Sequence, residues 1–168
     1  FHNFFKLLNH EIMESKNESA AWNMVSEVEL IYKSKVKAAD RPFIKCSADI
    51  EKVLRHFYDE NTIELQEQFN VLYLNRGHRV LGIYKVCTGG LTGTVADPRL
   101  IMAMALRLAS CYMILSHCHP SGNLTPSNAD IMLTQKIKQA ASLFDIKVLD
   151  HVILTSTEYL SFTDEGLL

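Results

Sequence analysis

The chain has 168 residues, enough for one domain with a sizeable core. Hydrophobic residues make up 48% and charged ones 21%, the balance of a globular protein and not of a disordered or fibrous one. A net charge of −2 excludes bulk attraction to a polyanion, though not a local basic patch.

No apolar run approaches the roughly 20 residues of a membrane helix, and no signal peptide is evident. The chain opens on Phe1; Met13 begins "MESKNES", a polar stretch that reads better as a natural start, with Phe1–Ile12 an upstream extension. Residues 1–24 are expected to be helical or frayed. "SEVELIYKSKVK" sets Val28, Leu30 and Tyr32 against Glu27, Glu29 and Ile31, then puts Lys33, Lys35 and Lys37 on one side. That period of two predicts a strand. Its lysine face is either a nucleic-acid edge or, more commonly, an edge guarded against pairing.

Ser47 is expected to cap a helix over "SADIEKVLRHFYDE", with Ile50, Val53, Leu54 and Phe57 on one face. After a polar connection from Glu60 to Glu67, Phe69 to Leu74 and Arg79 to Val86 flank a turn at Asn75-Arg76-Gly77, the clearest hairpin in the chain. "TGTV" reads as a short strand. Asp97-Pro98 starts a helix whose apolar face is Leu100, Ile101, Met104, Ala105 and Leu108. "SCYMILSH" is apolar enough for a strand buried on both faces. Residues 128–144 carry Leu133, Ile137, Ala140, Ala141 and Phe144 at helical spacing, and "IKVLDHVILT" is a further strand. Strand, helix, strand implies a parallel pair with a right-handed crossover. The class is α/β, a mixed sheet packed with helices.

None of the cysteines, Cys46, Cys87, Cys111 and Cys118, forms a C-x-x-C pair, which argues against a four-cysteine zinc site and for reduced thiols in the cytoplasm. The chemistry gathers instead in "LSHCHPSGNLTPSNAD". Residues i and i+2 of a strand point the same way, so His117 and His119 share a face and Cys118 takes the other. Two such imidazoles can close on one metal at about 2.0–2.1 Å. Asp130, in the first turn of the next helix, could fold back as a third ligand and leave one tetrahedral position open. Ser127 and Asp130 also have the spacing of a capping box. His151, beside Asp150 on a strand, reads as structural rather than catalytic, with support of a ligand as a further role.

The ordered string H-x-H-P, six residues, S-x-x-D resembles the JAMM motif of the JAB/MPN metalloprotease superfamily. "EQFNVLYLNRGHRVLG", "TGGLTGTVADPRLI" and "DIKVLDHVIL" look like segments of its bacterial RadC branch, and the likeness runs over residues 44–168, leaving 1–43 as an N-terminal extension. The resemblance implies a single MPN-type α/β domain and zinc held by His117, His119 and Asp130. It implies an upstream glutamate that moves protons, matched here by Glu67, with Glu64 and Glu60 as offset choices. Ser127 matches the motif serine, whose hydroxyl is expected to bind a developing oxyanion. The activity implied is cleavage of a peptide or isopeptide amide in a peptide or protein substrate. The alternative is a non-catalytic or DNA-associated protein with a role in DNA repair; the helix-hairpin-helix region common in RadC-type chains has no match in residues 1–40. Cys118 stands where such chains usually carry Asn, and it is expected not to ligate. A nucleobase deaminase would need H-x-E followed by P-C-x-x-C, and no such string exists.

Overall fold

Every residue of Gln68–Leu74 is buried, and this strand, β1, anchors the fold. In the computed structural model, which describes residues 34–89 and 96–168, β1 turns into β2 (Val80–Thr88) through a loop tied by the Asn75 side chain. Its Oδ1 accepts from the amides of Gly77 at 2.9 Å and Arg79 at 3.0 Å. The left-handed residue of that loop is His78 (φ 55°), not the glycine before it. β3 (Tyr112–Cys118), β4 (Lys147–Leu154) and β5 (Tyr159–Ser161) complete a five-stranded sheet in the order β2-β1-β3-β4-β5. Only β3 and β4 pair in parallel; the other neighbours are antiparallel. The sheet is therefore mixed, as expected, and the parallel pair is joined by a helical crossover.

Three α-helices cover this sheet among the described residues: α1 (Ser47–Arg55), α2 (Pro98–Arg107) and α3 (Asn128–Ser142). Phe69, Val71, Tyr73, Met113 and Leu115 pack with Ile101 and Ala105 of α2 and Ile137 and Ala141 of α3. The alternate residues Leu72, Leu74 and Ile114 pack with Ile50 and Leu54 of α1. Full burial of each such side chain contributes about 1.5–3 kcal/mol, so both faces of the central strands hold the sheet in place.

One irregularity matters to the site. Met113 pairs with Val148 but Ile114 with Asp150, so Leu149 is an extra residue in β4. A bulge of one residue reverses which side the following side chains face. Val148 packs on the α2/α3 side, whereas Val152 and Leu154 pack on the α1 side. His151 is thereby turned to the side of Leu115 and His117.

Some expectations fail in detail. Residues 34–37 form no strand and lead into a single 3-10 turn, Ala38–Asp40; the rest of the lysine-strand expectation, residues 1–24 and "TGTV" lie outside the described residues. Cys46, not Ser47, is the cap of α1. The carboxylate of Asp49 reaches back from the first turn to accept from the Lys45 amide at 2.9 Å, leaving Ser47 Oγ beside Tyr159 Oη. α1 stops at Arg55, where the chain breaks into turns, so Phe57 is exposed. Leu100 on α2 and Phe144, past the end of α3, are exposed as well. No helix among the described residues is long and apolar enough to cross a membrane.

Candidate metal centre

β3 ends by delivering two imidazoles to the α2/α3 side of the sheet. His117 Nε2 and His119 Nε2 lie 2.9 Å apart. Asp130 Oδ1 is 3.3 Å from His117 Nε2, and Oδ2 is 3.8 Å from His119 Nε2. Ligand atoms of the three residues all fall within 4.8 Å of one another.

Local structure fixes each group. The His119 amide donates to Leu154 O at 2.8 Å, which pins the end of β3 to β4. The chain then turns sharply: Gly122 donates to His119 O at 3.1 Å and adopts φ 78°, a conformation that favours glycine. This turn brings Asn123 O onto His119 Nδ1. A carbonyl only accepts, so Nδ1 carries the proton and Nε2 keeps its lone pair.

Asp130 forms the capping box that the S-x-x-D spacing predicts and keeps one oxygen outside it. Its Oδ2 accepts from the Ser127 amide at 2.8 Å and hydroxyl at 2.6 Å, while Ser127 Oγ accepts from the Asp130 amide at 3.2 Å. That is a complete capping box. Oδ1 takes no part in it and faces His117. Burial works to raise this carboxyl, but the contact with His117 and the two Ser127 donors hold it well below the usual carboxylate range.

The donor set suits zinc: two imidazole nitrogens and one ionised carboxylate oxygen converge. Ligands at about 2.0–2.1 Å from one tetrahedral ion sit roughly 3.4 Å apart, and the spacings here fall on either side of that value. Cys118 is not in the set. It packs on the α1 side, with Sγ 3.4 Å from Gln66 O. Burial pushes its thiol up to about 11, with the nearby charge of Glu67 acting in the same sense.

Glu67 is half-buried immediately before β1, and its carbonyl accepts from the Gly89 amide at 2.8 Å. Phe69 pairs with His117 across the strands, and its ring lies parallel to that imidazole at 6.1 Å. Glu67 thus stands at the end of β1 nearest the two histidines, one residue before the strand begins. Glu60 and Glu64 instead line a cavity of about 410 Å³ with Arg55, Tyr58 and Leu154, on the α1 side.

Behind His117 lies a contact that spacing did not reveal. His151 is fully buried; its Nε2 is 2.8 Å from His117 Nδ1, and its Nδ1 is 2.6 Å from Thr134 Oγ1. Burial, reinforced by His117, keeps this imidazole well below its ordinary value, so it is neutral near pH 7. Thr134 was missed outright. The available signal was its place one helical turn after Asp130, on the same face of α3.

A mixed sheet with a helical crossover from β3 to β4, bearing His-x-His at the end of β3 and a carboxylate at the start of α3, defines a JAB-type α/β domain. Over residues 44–167 the chain matches the RadC-like JAB domain, and it belongs to that family. A UPF0758 protein of Flavobacterium johnsoniae is 46% identical over 101 residues, 60% of this chain and 44% of that protein. A UPF0758 protein of Geotalea uraniireducens is 36% identical over 117 residues, 70% and 51% of the two chains. One from Porphyromonas gingivalis is 42% identical over 104 residues, 61% and 46%. The chain thus spans about half the length of the relatives it matches.

Proposed function

We propose that this chain is a zinc-dependent hydrolase of a peptide or isopeptide amide, acting on a peptide or protein substrate in the cytoplasm. One observation carries the reading: two imidazole nitrogens and the uncapped oxygen of Asp130 converge at the end of β3. His117, His119 and Asp130 would hold the ion. Zinc bound there would supply Lewis acidity to the amide carbonyl and make water nucleophilic near neutral pH.

The chain's own residues supply the rest. Glu67 accepts a proton from the attacking water at its carboxylate and returns it to the leaving amine. Ser127 has its hydroxyl proton on Asp130 Oδ2. To donate to an oxyanion the hydroxyl must rotate away, and the Ser127 amide alone then holds that oxygen. Four free thiols suit a reducing compartment. Of the lysine face that would support a DNA-associated role, the described residues include Lys35 and Lys37, both exposed and outside any strand.

Metal analysis of protein purified without chelator tests the reading. One zinc per chain is expected in the wild type and none in His117→Ala; equal metal in both overturns it. Glu67→Gln should keep the zinc and lose at least 100-fold in turnover of a cleavable amide, on the order of what a general base contributes. Full activity in that variant would move the base elsewhere.

A further inference from the structure

We infer that Thr134 and His151 form a hydrogen-bonded line that locks His117 in the tautomer able to bind a metal, which makes both of them positioning residues. This rests on the metal-centre reading above. The hydroxyl of Thr134 has a single proton, and it lies 2.6 Å from the carbonyl oxygen of Asp130, which can only accept. Thr134 Oγ1 therefore presents a lone pair to His151 Nδ1 at 2.6 Å, and that nitrogen carries the proton. His151 Nε2 is then bare and accepts from His117 Nδ1 at 2.8 Å. The remaining nitrogen of His117, Nε2, is thereby the one available to a cation placed between His119 and Asp130.

Among the described residues the acceptors that face His117 Nε2, Asp130 Oδ1 and His119 Nε2, lie on the side where a cation would bind and not along the line. Thr134 is 1% exposed, His151 0% and His117 4%, so water does not reach the line. The ring of His151 is held between Phe162 at 4.6 Å and the edge-on Phe69 at 5.7 Å. The line begins on the carbonyl of Asp130 itself, so one turn of α3 places one ligand and sets the tautomer of another. The bulge at Leu149 completes it, because regular alternation in β4 would turn His151 to the α1 side. Reversed donors would put a proton on His117 Nε2, where a cation must bind.

Thr134→Val keeps the shape and removes the hydroxyl; Thr134→Ser restores it. Zinc affinity should fall about 10- to 100-fold in Thr134→Val, the usual cost of losing a ligand's hydrogen-bonding partner, and return to within about threefold of wild type in Thr134→Ser. Nitrogen-15 spectra of histidine-labelled, metal-free protein read the tautomers directly. Protons on Nδ1 of both His151 and His117 are expected in the wild type, and loss of the Nδ1 proton of His117 in Thr134→Val. A wild-type His151 protonated on Nε2 overturns the inference, as does a folded Thr134→Val that binds zinc like wild type. A wild type that takes up no zinc overturns the metal-centre reading instead, and the tautomers then decide the line by themselves.

Discussion

Asp130 uses its two oxygens differently, one in the helix cap and one towards the candidate metal centre. Oδ2 closes the first turn of α3 through Ser127, while Oδ1 faces His117. Loss of a cap costs about 1 kcal/mol. Ser127→Ala should therefore lower the stability of the metal-free protein by about that amount and leave zinc in place. Asp130→Ala should cost a similar amount of stability and empty the metal site. Urea denaturation in chelator, set beside metal content, makes the comparison; an Asp130→Ala protein that holds zinc as tightly as wild type would leave the carboxylate a cap and nothing more. At this scale the sequence was informative where periodicity governs. His117 and His119 share a face because a strand alternates, and Asp130 follows from the ordered motif. His151 could not be placed, since its direction depends on an extra residue in β4 that no local pattern announces.

Among the elements, β4 carries the least obvious design. Its bulge sends Asp150 to the side away from His117, where a carboxylate with 3% exposure needs partners. Its partners include Ser161 Oγ at 2.6 Å, the Thr163 amide at 3.0 Å and the His151 amide at 2.7 Å. Burial still leaves this carboxyl above its ordinary value, so those bonds offset the desolvation only in part. Asp150→Ala strands buried donors at the bulge and at the end of β5. A loss of about 3 kcal/mol is expected, seen as a melting temperature roughly 6–12 °C lower. A change below about 1 kcal/mol would mean that the bulge is held by packing alone. Hairpin, crossover and both helix–sheet faces were legible because each follows from apolar spacing. The cap of α1 was not, because the helix begins with Cys46 at the cap and no side-chain cap bond, while Asp49 reaches back to the Lys45 amide ahead of the helix. Phe57 and Phe144 fit helical spacing yet are exposed, for each lies beyond the point where its helix ends.

At the scale of the whole molecule, the candidate centre joins parts distant in sequence. Glu67 precedes β1, the two histidines end β3, Asp130 and Thr134 lie on α3, and His151 follows the bulge in β4. All fall within the part matched by the family, residues 44–167. Such a site exists only in the folded chain, so a metal that fills it must stabilise the fold by mass action. Free zinc at 100 times its dissociation constant adds about 2.7 kcal/mol. For a chain of this size that raises the melting temperature by about 5–11 °C. The sign of the pH dependence follows from the ligands. Zinc displaces the protons of the groups that bind it, so the gain should shrink as pH falls. The measurement is melting temperature against zinc concentration at about pH 7.5 and about pH 5.5, with His117→Ala alongside. Wild type should climb with zinc at the higher pH and hardly at the lower, and the variant should stay flat at both. A wild-type melting temperature indifferent to zinc at the higher pH would mean that the convergence of His117, His119 and Asp130 holds no metal, and the proposed hydrolysis would fail with it.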